Sequence, residues 1–196
     1  MTMQDATDPY ALFNHWFEAA RLSEPSDPNA MSLATATPEG APSVRIVLLK
    51  RVDARGFSFY TNGDSRKGAE LRANPRAALG FHWKSIHRQV RIEGPVAELP
   101  PEDADDYFAH RPRMSQIGAW ASRQSRPLSS RDELLDLARK YEEQFPNQVP
   151  RPPYWTGFVL TPLCIEFWQA ADYRLHDRFV FHLTPPATWT KQRLFP

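Results

Sequence analysis

The spacing of hydrophobic and polar residues changes several times along the chain, and each change predicts an element. After Asp8-Pro9, the residues Leu12, Phe13, Trp16, Phe17 and Ala20 recur at helical spacing, so a helix begins there with Asp8 as its cap. Pro25 to Pro28 is a loop, and Met31 to Thr37 then reads as a short strand turned by Pro38-Glu39-Gly40. Val44 to Leu49 is a β-branched and aliphatic run, and Asp53-Ala54-Arg55-Gly56 supplies the next turn. Phe57, Phe59 and Thr61 alternate with Ser58 and Tyr60 in a third strand. Together these strands predict an antiparallel meander ending at Thr61. Asn62-Gly63-Asp64-Ser65 breaks it, and Arg66-Lys67 opens a helix that stops at Asn74-Pro75.

Beyond Pro75 the pattern predicts strands over Ala77–Trp83 and Arg88–Glu98, with Gly94-Pro95 marking an edge or a bulge. Helices follow over Pro101–His110 and Met114–Ser122, with Gln124-Ser125-Arg126-Pro127 as a loop. Ser130 and Glu133 form a capping box for a plain amphipathic helix through Gln144. Past the proline-rich connector Pro146–Pro153, strands are expected over Tyr154–Leu160, Leu163–Gln169, Arg174–Leu183 and Trp189–Phe195. Strand alternation places Arg174, His176 and Arg178 on one face beside Trp168, a set unusual for a mere surface; the alternative is a solvated edge with Asp177 as ion partner. The sum is a mainly β domain with flanking α-helices, an antiparallel barrel or strongly coiled sheet spanning residues 1–196 with residues 1–29 as a helical extension.

Composition narrows the function classes. The formal net charge of +1 over 196 residues gives no global field for nucleic acid or a membrane surface, so any anion site must be a local cluster. The single cysteine, Cys164, excludes an internal disulfide and sits in an apolar run where a buried, inert thiol is expected. The start MTMQDATDPY lacks an apolar signal core, and no run approaches the ~20 apolar residues of a membrane span, which predicts a soluble, cytoplasmic protein. Phosphate-loop, dinucleotide and metal-spacing motifs are missing, so no metal is expected.

The residues that carry chemistry are cationic. Arg66 and Lys67 occupy a first helical turn, where they oppose the helix dipole; a bound anion would offset that cost, and a solvated basic turn is the bland alternative. Tyr107 and Arg111 share a helical face, with Ser115 shortly after. Arg45 and Lys50 are five positions apart, so a regular strand would point them to opposite faces unless a bulge intervenes.

The motifs RIVLLK, FYTN..SRK, RPR.SQIGAW.S.QS, IEFWQ, RLHDR and the terminal RLFP, in this order, closely resemble the pyridoxine/pyridoxamine 5′-phosphate oxidase family from about Ala30 to Pro196. The resemblance implies a split β-barrel homodimer with FMN at the subunit interface. Carried over by position, cofactor-binding residues would be Arg45, Ile46, Val47, Leu48, Leu49, Lys50, Tyr60, Thr61, Arg66, Lys67, Gln89, Gln124, Ser125, Trp168 and Arg178. Substrate-binding residues would be Lys50, Tyr107, Arg111, Ser115, Arg174, Leu175 and His176, with Arg174 and His176 closest to the reaction. The implied reaction oxidises pyridoxine or pyridoxamine 5′-phosphate to pyridoxal 5′-phosphate, with O₂ reduced to hydrogen peroxide. FMN and substrate each carry a phosphate, so two anion sites are needed: Arg45, Arg66 and Lys67 suit one, and Lys50, Tyr107, Arg111 and Ser115 the other. Family members commonly carry a basic segment before the first helix, whereas MTMQDATDPY stands there in this sequence. Ala170-Ala171 and Thr156 also replace usual glycines. Competing expectations are a flavin oxidase of another aromatic substrate, such as a phenazine precursor, and a non-enzymatic FMN- or pyridoxal-phosphate-binding module.

Overall fold

The computed structural model describes residues Met1 to Pro196. The first helix, α1 (Pro9–Ser23), starts where Asp8 accepts a hydrogen bond from the Tyr10 N–H, and it buries Leu12, Phe13, Trp16 and Ala20. Strands β1 (Ala30–Ala36) and β2 (Pro42–Leu48) pair antiparallel, followed by a short β3 (Arg51–Asp53) and β4 (Gly56–Asn62). Helix α2 (Arg66–Ala73), strands β5 (Arg76–Trp83) and β6 (Arg88–Glu98), and helices α3 (Pro101–Ala109), α4 (Arg113–Ala121) and α5 (Arg131–Gln144) complete the middle of the chain. It ends in strands β7 (Trp155–Leu160), β8 (Cys164–Gln169), β9 (Asp177–Thr184) and β10 (Thr188–Leu194).

The expected three-stranded meander does not form. β4 pairs with β3 and β7, while β2 pairs only with β1. The cause lies at Leu49, whose side chain turns into the core at 4% exposure. Its backbone exchanges hydrogen bonds with Asn29, the N–H donating to Asn29 O at 2.8 Å and the carbonyl accepting from Asn29 Nδ2 at 3.0 Å. The chain therefore leaves β1 after Leu48 and resumes as β3 beside β4. This break removes the Arg45–Lys50 conflict, because the two residues no longer belong to one regular strand.

The strands now run around a barrel, from β2 through β1, β5, β6, β7 and β4 to β3, which continues β2. The long β6 holds β8 along its first half and β7 along its second half. Gly94-Pro95 lies where the partner changes, so it marks a corner instead of an edge or a bulge. A Cβ on Gly94 would lie 2.0 Å from Thr161 O, so only glycine admits the crossing chain there. β8, β9 and β10 extend from β6 as a side sheet. Phe13, Phe57, Phe59, Phe81, Trp83, Phe158, Phe167 and Phe181 fill the core, each contributing roughly 1.5–3 kcal/mol by burial. A smaller cluster of Phe108, Ile117 and Val149 seats α3 and α4.

Two further expectations are corrected. The strand predicted from Arg174 begins only at Asp177; Asp172–Arg174 is a 3-10 turn in which Tyr173 and Arg174 have φ of 56° and 63°. Alternation thus cannot align Arg174 and His176 with Arg178. Cys164 is half-buried, and burial together with the nearby Glu93 and Glu166 raises its thiol pKa. No helix is long and apolar enough to cross a membrane.

Candidate functional site

A cavity of about 590 Å³ opens between β2, β4, the start of α2, the end of α3 and the loop after α4. Its lining brings together Arg45, Ile46, Val47, Leu48, Lys50, Tyr60, Thr61, Arg66, Lys67, Tyr107, Arg111, Gln124 and Ser125 from the expected site. The β2 break and the α2 cap do most of this placing. Ser65 caps α2 by accepting from Gly68 N–H, and its hydroxyl donates to Asn62 O at 2.6 Å. A Cβ on Gly68 would lie 2.1 Å from Gly63 O, so glycine lets the helix start press against the loop.

Lys67 points inward from that turn and is buried. Its ammonium donates to Gln124 Oε1 at 2.6 Å, Ser65 Oγ at 3.1 Å and Thr61 Oγ1 at 3.3 Å, with no carboxylate beside it. Burial, reinforced by the Arg45 charge, lowers its pKa to about 8. Its three N–H groups meet only neutral acceptors, so the buried charge has no balancing carboxylate, which favours an anion nearby. Next to it, the Arg66 N–H donates to Ser125 Oγ at 3.2 Å, which ties the loop after α4 to the helix start.

Arg45 and Arg66 are held differently, by Glu70. This carboxylate is 6% exposed, within α2. It accepts from Thr35 Oγ1 at 2.5 Å, Ser43 Oγ at 2.6 Å, Arg66 Nε at 2.7 Å and Arg45 Nη2 at 3.4 Å. Burial alone would raise its pKa, but the hydroxyls of Ser43 and Thr35 and the Arg66 guanidinium bring it down to about 2. Glu70, Ser43 and Thr35 were not among the residues expected from the sequence. The only sequence signal was the Arg66–Glu70 spacing of four on one helix.

The second expected set is close by. Tyr107 stacks on Tyr60 with ring centroids 4.1 Å apart and planes at 6°, and Lys50 Nζ lies 5.5 Å from the Tyr107 centroid. Arg111 stacks on Trp155, another residue not foreseen, at 4.1 Å. Arg111 Nη1 and Trp155 Nε1 are buried without a hydrogen-bond partner. Ser115 lines an adjoining cavity of about 310 Å³ that shares Arg111, Gln124 and Trp155 with the first.

The remaining expected residues lie elsewhere. Gln89, Trp168 and Arg178 are directly opposite one another across β6, β8 and β9, and therefore share one sheet face. Arg178 Nε donates to the buried Glu166 at 2.9 Å. Asp177, expected as an ion partner in that region, pairs instead with Arg193. Arg174 and Leu175 are exposed beyond β8, and His176 packs against Trp168 with centroids 4.6 Å apart. The Ala171 N–H donates to His176 Nδ1 at 3.2 Å, so the neutral ring carries its proton on Nε2. Leu49 belongs to the core, and its side chain does not reach the cavity.

Register explains the separation. Arg45 is opposite the core residue Leu33, whereas Ile46 is opposite Ser32, Ser32 opposite Gly80, and Gly80 opposite Arg91, on the outer face that also carries Gln89. Arg45 and the Gln89–Trp168–Arg178 row thus occupy opposite faces of the sheet. The outer face of β2 carries a row of exposed apolar residues, Val44 (67%), Ile46 (63%) and Leu48 (37%).

Comparison with known proteins gives a consistent picture. A family model described as pyridoxamine 5′-phosphate oxidase matches residues 18–145, and one described as pyridoxine 5′-phosphate oxidase C-terminal dimerisation region matches residues 155–196. A pyridoxine/pyridoxamine 5′-phosphate oxidase from Erythrobacter litoralis is 57% identical, covering 97% of this chain and 92% of that protein. One from Rhodospirillum rubrum is 54% identical, with both chains covered completely. The crystal structure of PhzG from Burkholderia lata, in complex with tetrahydrophenazine-1-carboxylic acid, superposes with a TM-score of 0.92 at 31% identity, covering 98% of this chain and 94% of that one. A pyridoxamine 5′-phosphate oxidase-related, FMN-binding protein from Nostoc punctiforme shares the fold, with a TM-score of 0.79 at 14% identity over 97% of this chain and 100% of that one.

Proposed function

The chain belongs to the pyridoxine/pyridoxamine 5′-phosphate oxidase family, and from that premise we propose how its own residues divide the work. It is an FMN-dependent oxidoreductase that converts pyridoxine and pyridoxamine 5′-phosphates to pyridoxal 5′-phosphate. The donors of the cavity fit such ligands: a buried ammonium without a carboxylate at Lys67, and an unpaired buried guanidinium N–H at Arg111. One cavity holding both basic groups is the observation that carries the assignment of two phosphate sites.

In this reading Lys67, Arg66 and Arg45 hold the FMN phosphate, with Ser125 and Gln124 closing the loop around it. The segment Arg45–Lys50, with Tyr60 and Thr61, forms the remaining cofactor contacts. Lys50, Tyr107, Arg111 and Ser115 take the substrate phosphate. FMN held there would supply a two-electron acceptor for oxidation at the substrate C4′, with O₂ as the terminal acceptor reduced to hydrogen peroxide; for pyridoxamine 5′-phosphate, water would provide the aldehyde oxygen and the nitrogen would leave as ammonia. The protein contributes orientation. Arg174 offers a planar cation that stacks on the substrate ring, and His176 hydrogen-bonds to it as a positioning group, with Leu175 beside them.

Because the two residue groups lie on opposite sheet faces, we place the complete site between two copies of the chain. Gln89, Trp168, Arg178 and the Arg174–His176 turn of one copy face the cavity of the other. The exposed row Val44, Ile46 and Leu48 supports this arrangement, since burying it needs a second surface. A single folded domain over residues 1–196 and a cytoplasmic location are part of the same proposal.

The purified protein should be a yellow dimer with about one FMN per chain, and it should form peroxide with pyridoxine 5′-phosphate but far less with pyridoxine. Arg111→Ala should raise KM for the phosphorylated substrate about tenfold or more with FMN retained, as expected for a hydrogen bond to a charged group worth roughly 1.5–3 kcal/mol. A colourless monomer that ignores FMN would overturn the arrangement. Loss of FMN from Arg111→Ala would mean that Arg111 serves the other phosphate.

A further inference from the structure

Trp155 opens β7 with its backbone fixed from three sides. Its N–H donates to Pro152 O at 3.0 Å, its carbonyl accepts from Arg151 Nη1 at 2.5 Å, and it pairs with Asn62 of β4. Arg151 is itself held by Asp105 of α3 at 2.6 Å. The indole is equally constrained. Phe108 meets it edge-on, with centroids 5.9 Å apart at 66°, and the Arg111 guanidinium carbon lies 4.1 Å from its ring centre. The ring lines both the main cavity and the adjoining cavity that bears Ser115.

Two donors at this contact, Arg111 Nη1 and Trp155 Nε1, are buried and unpaired. Native proteins rarely leave such groups unsatisfied, since each costs about 1–3 kcal/mol. A tetrahedral oxyanion offers several acceptor oxygens and can satisfy more than one donor at once. The indole face also shields one face of the guanidinium from water and fixes its plane, which leaves the in-plane N–H edge of the stack for a ligand.

We infer that Trp155 is a positioning and specificity residue for the substrate phosphate: it sets the plane of Arg111 and adds its own Nε1–H as a donor. This rests on the assignment of Arg111 to the substrate phosphate. The two ideas separate experimentally. Trp155→Phe keeps an aromatic plane and deletes the N–H, whereas Trp155→Leu deletes both. With FMN-saturated enzyme, Trp155→Phe should raise KM for pyridoxine 5′-phosphate about threefold to tenfold, and Trp155→Leu should raise it further. The kcat should stay within about twofold, FMN affinity should be unchanged, and kcat/KM for unphosphorylated pyridoxine should barely move.

Unchanged KM in Trp155→Phe and Trp155→Leu, with Arg111→Ala still raising it, would overturn this inference alone. An equal loss for phosphorylated and unphosphorylated substrates would overturn it too, because it would make Trp155 a general support of the fold. No effect of Arg111→Ala on KM would instead remove the phosphate assignment beneath it. If Trp155→Leu does not fold, the KM ratio between the two substrates in Trp155→Phe decides.

Discussion

Two cationic segments of this molecule are built in opposite ways. Arg66-Lys67 sits at the start of a capped helix, with Lys67 buried among three neutral acceptors and Arg66 held by Glu70. Arg174-Leu175-His176 is a turn outside any strand, with Arg174 at φ 63°, Leu175 68% exposed and the neighbouring Tyr173 93% exposed. The first site is organised by its own chain before any ligand arrives. The second has its backbone shaped, in a conformation that non-glycine residues rarely adopt, but its Arg174 side chain makes no hydrogen bond or ion pair. Anchoring therefore should dominate cofactor affinity and stability, while the exposed turn should matter to substrate binding and turnover.

The largest expected effect is at Lys67. Lys67→Met should raise the FMN Kd by roughly tenfold or more, since a hydrogen bond to a charged group contributes about 1.5–3 kcal/mol. The same change should make the FMN-free protein more stable, because it removes a buried cation that no carboxylate balances. Titration with FMN and thermal unfolding of the FMN-free protein check both signs; a parallel loss of affinity and stability would make Lys67 a structural residue.

Glu70→Gln should come next. It leaves Arg45 and Arg66 without their shared carboxylate and should destabilise the protein by on the order of 1–3 kcal/mol. Glu70 has its pKa lowered from 4.5 to about 2, so its contribution is fully present above about pH 5 and is lost as pH falls toward 2. Unfolding curves across that window should be less steeply pH-dependent in the variant than in the wild type; identical slopes would disprove the role.

Arg174→Lys tests the opposite pole. It keeps the charge and loses the plane, so kcat/KM should fall about tenfold while unfolding and FMN binding stay unchanged. A coupled loss of FMN or stability would erase the contrast between the two segments.

The smallest effect is in pH. Lys67 in the FMN-free protein has a pKa of about 8 against 10.5 for a free lysine, so raising pH through 8 neutralises the proposed phosphate partner. FMN affinity should weaken steadily above pH 8, and Lys67→Met should flatten that dependence. The stability sign is reversed: because the unfolded lysine still holds its proton, the FMN-free protein gains stability from this group between about pH 8 and 10.5.

Much of this was legible from local pattern. The apolar face of α1, the Asp8 and Ser130 caps and the alternation of β4 follow from residue spacing over a few positions. The basic residues of the cavity were legible through their motifs. Glu70 was not, since a glutamate at helical spacing from an arginine is ordinarily a solvated pair; only Thr35 and Ser43, brought in by β1 and β2, bury it. Trp155 looked like any aromatic at a strand start until Arg111, 44 positions earlier in the chain, was stacked on it.

By itself, the sequence determined which segments are helix and which strand, where most of them stop, and which side chains could meet an anion, because these depend on periodicity, capping and residue chemistry. The tertiary structure alone decided that Leu49 turns into the core and splits β2 from β3, that β6 changes partners at Gly94, and that Arg174, Leu175 and His176 stay outside the strand that starts at Asp177. It also decided that Arg45 and the Gln89–Trp168–Arg178 row lie on opposite faces of one sheet. Strand pairing joins residues far apart in the chain, and its register depends on packing and hydrogen bonds that no local stretch contains.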